Sequence, residues 1–262
     1  MAKNLWQISL KVTEQALMSG ALLPVETECE EIHEGSLRYQ IRILSNLQRK
    51  QDIQRLESAA NRASNPFLPY DPQLYVADIG RKHRCLLNKY NVIENHLLIV
   101  TKEFEPQADP LNLFDFHASV LCLKQIDGLV FFNGGPVAGA SQPHKHLQLV
   151  PLPTDRLPLS DQLRAFSSDA AVNTALPFNN AGILIPDNLF DNPVQAAGWL
   201  SIQYLKLLDQ IKLKYTVDNA QSGYNLLLTR KWLMLVPRHQ ESIAGVSFNA
   251  LAFCGSILYL YR

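Results

Sequence analysis

His144, His146 and Gln148 follow one another at alternate positions in the run Asn133 to Pro153, NGGPVAGASQPHKHLQLVPLP. On an extended strand that spacing turns all three side chains to one face. A histidine nitrogen can attack phosphorus and form a covalent intermediate, provided that its other nitrogen is held in a hydrogen bond that fixes the tautomer. His146, central in the row, is the candidate nucleophile. Gln148 offers an NH2 donor to a phosphoryl oxygen but cannot carry a proton at neutral pH, and His144 would orient its neighbour or the phosphate. Lys145, Leu147 and Leu149 point the opposite way, into solvent or core. Upstream, Gly134, Gly135, Gly139, Ala140 and Ser141 leave room for a ligand to approach backbone N–H groups that can donate to phosphate oxygens.

Two alternate histidines on a strand can instead be ordinary core or surface residues, or half of a metal site. Zinc would require further ligands, and Cys29, Cys85, Cys122 and Cys254 form no CxxC pair, so no protein metal site is expected. The HxHxQ row, the small-residue loop before it and the bracketing Pro143 and Pro151 together favour phosphate chemistry.

The elements that must position this row can be read from periodicity. Asn4 to Ser19 has helical spacing and stops at Gly20. Leu37 to Ile43 alternates as a half-buried antiparallel strand, and further strands are expected near Leu74 to Ile79, Arg84 to Asn88 and His96 to Thr101. A helix near Leu111 to Ile126 precedes the strand Leu129 to Asn133. Residues 151–177 read as a proline-rich surface crossover, giving parts 1–153 and 154–262 of one compact unit. Beyond it come a strand near Gly182 to Ile185, a helix near Pro193 to Tyr215, strands Tyr224 to Thr229 and Trp232 to Val236, and a final helix near Asn249 to Tyr259. Strands and helices do not alternate one for one, so an antiparallel α+β fold is expected over a doubly wound one.

Composition sets outer limits. The 262 residues can bury a full core, and Lys plus Arg equals Asp plus Glu at 24 each, so no global field favours nucleic acid. Apolar runs are too short for a bilayer, the N-terminus lacks a signal-peptide core, and unpatterned cysteines suit a reducing cytoplasm. A cytoplasmic enzyme with no membrane partner is the expectation. The oligomeric state stays open, with a monomer compatible.

The run GASQPHKHLQ resembles the signature of the diadenosine tetraphosphate phosphorylases, or ATP adenylyltransferases, a branch of the histidine triad superfamily in which glutamine replaces the last histidine. NPFLPYDPQLY at Asn65 to Tyr75, LLNKYNVIENHLLIVTK at Leu86 to Lys102 and YNLLLTRKWLMLVPR at Tyr224 to Arg238 resemble further family blocks in the same order. The resemblance implies a histidine-triad-like antiparallel sheet flanked by helices, with a C-terminal part completing the nucleotide site. It implies phosphorolysis of diadenosine tetraphosphate to ATP and ADP through an adenylyl-histidine. It also implies a divalent cation such as Mg2+, carried on the substrate phosphates.

Site residues carried over by that resemblance are Lys50, Asn88, Lys89, Asn133, Gly139, Ala140, Ser141, Gln142, Asn225, Thr229 and Lys231, beside His144, His146 and Gln148. Lys50 has the alternative of one charge in a solvated run, and Arg230 and Lys231 that of a hairpin turn between buried strands. The competing functions are a dinucleoside polyphosphate hydrolase, a sugar-1-phosphate nucleotidylyltransferase and a non-catalytic nucleotide sensor. Gln148 argues against the first, and the absence of paired cysteines against a zinc-bearing form of the second.

Overall fold

The structure is a computed structural model that describes residues 4–44, 65–152, 154–213 and 223–259. Helix α1, Leu5–Ser19, starts where the Asn4 side chain accepts from the Gln7 N–H at 2.9 Å, and ends at Gly20 in the left-handed region, φ 74°. Strand β1, Thr27–Glu34, is not foreseen in the sequence, because TECEEIHE is mostly exposed and carries no alternating apolar signal. Pairing makes it a strand: every residue from Thr27 to Glu34 finds an antiparallel partner on β2, Leu37–Leu44.

The main sheet has eight strands, all neighbours antiparallel. In chain order they are β3 (Tyr75–Ile79), β4 (His83–Leu87), β5 (Leu97–Thr101), β6 (Leu129–Gly134), β7 (His146–Val150), β8 (Ala181–Leu184), β9 (Gly223–Leu228) and β10 (Trp232–Arg238). In space the order is β3, β4, β5, β7, β6, β9, β10, β8. The strand carrying the histidine row is thus interior, flanked by β5 and β6. Helix α2, Leu113–Leu123, begins with a capping box between Asn112 and Asp115, and helix α3, Pro193–Gln210, begins with proline in its first turn. Helix α3 stops short of the expected Tyr215, which lies outside the described residues; Lys212, at φ 56°, breaks the helical conformation. The resulting fold is α+β with a large antiparallel sheet.

The two faces of this sheet differ. On one, Leu97, Ile99, Val130, Phe132, Leu147, Leu149, Leu226, Leu228, Leu233 and Leu235 join the inward residues of helices α1, α2 and α3 in one core. Full burial of each such side chain stabilises by roughly 1.5–3 kcal/mol. On the other, Leu86, Leu98, Val100 and Phe67 form a small cluster over β4 and β5, while Leu129, Phe131, Val150, Leu227, Trp232 and Met234 form a second over β6 to β10.

Two sequence expectations change here. The crossover expected on the surface buries Leu157, Leu159, Leu163, Phe166 and Leu176 in the second cluster, because its apolar residues fall between its prolines and cover that half of the sheet. The closing helix expected at 249–259 is a 3-10 segment, Ala250–Cys254, followed by strand β11, Ser256–Tyr259, which runs parallel to β2. Gly255, at φ 90°, stops the helical run, and a Cβ there would lie 2.7 Å from the Pro158 Cβ. Among the described residues no helix is long and apolar enough to cross a membrane.

Candidate active site

His146 and Gln148 lie on β7 between the two apolar clusters of the second sheet face, with Leu98 and Phe131 opposite Gln148 on the neighbouring strands. His144 precedes the strand and is bridged to Pro106. The row expected from the sequence is therefore formed, and it stands where the apolar cover divides.

Each imidazole is wired differently. His144 is fully buried; its Nε2 lies 2.9 Å from the Thr101 carbonyl oxygen and 3.1 Å from that of Glu103, while the Asn65 side-chain amide donates to its Nδ1 at 2.9 Å. Both ring nitrogens are occupied, so His144 serves as a strut. Its own carbonyl oxygen accepts from His146 Nδ1 at 2.8 Å. That bond places the His146 proton on Nδ1 and leaves the Nε2 lone pair for attack. Burial pushes the His146 pKa down to about 4, so the ring is neutral at pH 7 without a base.

Other groups fix the ring and shield it. The His146 backbone N–H donates to Gln107 Oε1 at 2.8 Å, and Gln107 Nε2 donates to the carbonyl oxygens of Asn133 and His146. Phe67 packs against both histidines, its ring centroid 5.3 Å from that of His146 and 5.6 Å from that of His144. Gln107, Thr101, Asn65 and Phe67 are not among the residues singled out in the sequence. Asn65 and Phe67 sit in the NPFLPYDPQLY block, and that block was the available signal.

Lys145, between the two histidines, turns to the opposite face as alternation requires, and the core rather than solvent receives it. Its Nζ donates to Glu105 Oε2 at 2.8 Å and lies 3.8 Å from Asp115 Oδ2, whose other oxygen meets His83 Nε2 at 2.8 Å. Asp115 also accepts the Asn112 N–H that starts α2. The helix cap and the base of the histidine strand thus share one buried ionic cluster.

The small-residue loop is fixed from the C-terminal part. Asn225 Nδ2 donates to Asn133 Oδ1 and to the Ala138 carbonyl, both at 2.8 Å, and buried Arg238 donates to Asn225 Oδ1 at 2.7 Å. Gly139 adopts φ 85° and a Cβ on it would come 2.9 Å from the Phe248 carbonyl oxygen, so no larger residue fits. From there Ala140, exposed Ser141 and half-buried Gln142 lead directly to His144. Arg238 is not among the residues singled out in the sequence, although the block Tyr224 to Arg238 ends on it.

The remaining sequence candidates are dispersed. Asn88 donates through Nδ2 to His96 Nδ1 at 3.2 Å, near Gln148, and Lys89 follows it, half-buried. Asn133 and Asn225 stand at the His146 end of their strands. Thr229 and Lys231 stand at the other end of β9, where Thr229 Oγ1 accepts the Lys231 and Trp232 N–H groups of the hairpin turn and exposed Lys231 pairs with Asp187. The structure does not bring those two to the histidine row. Lys50 lies outside the described residues. Among the described residues no group of three His, Cys, Asp or Glu is arranged to hold a metal ion.

A family model for the Ap4A phosphorylase N-terminal domain matches residues 1–165, and one for the ATP adenylyltransferase C-terminal domain matches residues 174–260. Diadenosine 5',5'''-P1,P4-tetraphosphate phosphorylase 2 of Saccharomyces cerevisiae is 29% identical over 229 residues, spanning 77% of this chain and 70% of that protein. Protein APA1 of the same yeast is 28% identical over 206 residues, spanning 71% of this chain and 64% of that one. The crystal structure of yeast Ap4A phosphorylase Apa2 in complex with Ap4A is similar to this fold at a TM-score of 0.80, with 25% identity, covering 100% of this chain and 91% of that one. With family models covering nearly its whole length, the chain belongs to the Ap4A phosphorylase family.

Proposed function

We propose that this protein phosphorolyses diadenosine tetraphosphate, reversibly, in two displacements. The observation that carries the reading is the neutral His146 imidazole, whose Nδ1 proton is committed to the His144 carbonyl and whose Nε2 lone pair is therefore available. In the first displacement His146 Nε2 bonds to an α-phosphorus as the bridging P–O bond breaks, and ATP leaves with the electron pair. In the second, inorganic phosphate attacks the same phosphorus, the P–N bond breaks, and ADP leaves. One anhydride replaces another of similar energy, so excluding water matters more than driving the reaction.

Gln148 would donate to the phosphoryl oxygen, and the Gly139 to Gln142 backbone would cradle the phosphate. A fully ionised phosphate needs little help as a nucleophile, whereas water needs a proton acceptor that Gln148 cannot supply. A divalent cation such as Mg2+ fits no acidic cage of the described residues and would arrive on the nucleotide; no step above is routed through it. Substrate and products would be diadenosine tetraphosphate, phosphate, ATP and ADP, in the cytoplasm. The yeast relatives' names support diadenosine tetraphosphate as the substrate. Incubation with diadenosine tetraphosphate, with and without phosphate, tests it: ATP plus ADP formed only with phosphate is the expected result, while ATP plus AMP formed without phosphate would indicate a hydrolase.

A further inference from the structure

His96 immediately precedes β5 and is buried, with 8% of its surface exposed. Its ring packs on Phe131 at 5.8 Å between centroids, and Phe131 lies opposite Gln148 on the adjacent strand. Gln148 also lies opposite Leu98, two residues beyond His96, so His96 and Gln148 are diagonal neighbours on one face.

The protons on this cluster can be assigned in sequence. The Tyr90 N–H donates to Asn88 Oδ1 at 3.4 Å, which leaves the Asn88 NH2 to face His96 Nδ1 at 3.2 Å. Nδ1 is then an acceptor, and a neutral ring must carry its proton on Nε2. Among the described residues that nitrogen is buried without a hydrogen-bond partner, and the Gln148 side chain lies within interaction range of the ring. A buried donor without an acceptor is costly, and the Gln148 carbonyl is the acceptor at hand.

We infer that His96 is a positioning residue that fixes which way round Gln148 points: Nε2–H engages Gln148 Oε1, leaving the Gln148 NH2 directed outward at a phosphoryl oxygen. An unguided amide can present either end, and the oxygen end would repel the transferring phosphoryl group. The arrangement parallels the one behind the nucleophile. Asn65 fixes His144, and the His144 carbonyl fixes His146 with its lone pair outward; Asn88 fixes His96, and His96 fixes Gln148 with its donor outward. The inference rests on the adenylyl transfer proposed above.

The test is a double-mutant cycle in full-length protein on kcat and KM for diadenosine tetraphosphate phosphorolysis. His96→Leu should lower kcat by roughly 10- to 100-fold, the scale of one preorganised donor, with KM nearly unchanged. His96→Gln, which keeps a donor near the same place, should recover most of that loss. In a Gln148→Ala background His96→Leu should cost no further kcat. Multiplying losses in the double variant, or a His96→Leu protein that melts earlier but turns over normally, would overturn the relay. Imidazole 15N chemical shifts of wild-type His96 provide a check that does not depend on variants folding: an Nε2-protonated ring is expected, and an Nδ1-protonated ring would also overturn it. A wild-type protein that cannot phosphorolyse the substrate counts instead against the proposed function.

Discussion

Strand β7 serves two faces that obey different rules. Leu147 and Leu149 point to a face where apolar contacts run without interruption from β3 to β8 and into three helices. His146 and Gln148 point to a face where the apolar cover splits into two clusters and polar side chains occupy the division. Alternation alone decides which side chain goes where. One face concentrates stability, and that allows the other to hold a buried, neutral imidazole that contributes nothing to packing a continuous core. The exception is Lys145, a basic side chain on the core face, which meets Glu105 and Asp115 directly behind His146.

The widest separation of the two faces is expected from His146→Ala. Phosphorolysis should fall to background in a product assay while thermal melting stays near wild type, since a nucleophile has no local substitute. Leu147→Ala, one residue away, should do the reverse. It should destabilise by roughly 2–5 kcal/mol in denaturant titration, with turnover per folded molecule retained. A Leu147→Ala protein that is stable but inactive would show that the faces are not separable.

Gln148→Ala comes next in size, with kcat reduced by about 10²-fold and little change in KM, as for the loss of one preorganised donor. A change in KM alone would assign Gln148 to uniform binding.

A smaller effect is expected from pH. Burial pushes His146 and His96 to about 4, below the 6.5 of an unfolded chain. Between those values the unfolded chain binds the extra protons, so this contribution is fully present above pH 6.5 and is lost as pH falls through about 4. Denaturant midpoints should therefore drop between about pH 7 and about pH 5, and His96→Leu should lessen the drop. Single-turnover adenylylation should show no loss centred near 6.5, because the His146 ring is already neutral. A loss there would mean that His146 is charged in the resting enzyme.

How much of this could be read in advance follows the same division. The HxHxQ row, its alternation and the loop before it are local in sequence, and local signals announce them. Helix α1 was equally readable, because Asn4 and Gly20 mark its ends. What escaped reading depends on distant partners. Gln107 and Arg238 look like ordinary polar residues until the fold sets one against the His146 backbone and the other against Asn225. Strand β1 has no apolar pattern and exists through its pairing with β2. The segment at 249–259 reads as a small-residue helix because the partner strand that extends its second half lies some two hundred residues earlier. Lys231 carried a functional and a turn reading at once, and the structure supplies the turn.

The central claim is that His146 carries the adenylyl group and passes it to phosphate rather than to water. Rapid-quench trapping with diadenosine tetraphosphate labelled in adenine, in phosphate-free buffer, tests it most directly. The account predicts label bound to wild-type protein and mapped to His146, absent from His146→Ala, persisting without phosphate and leaving as ADP when phosphate is added. Release of AMP without phosphate, at a rate comparable to turnover, would contradict it.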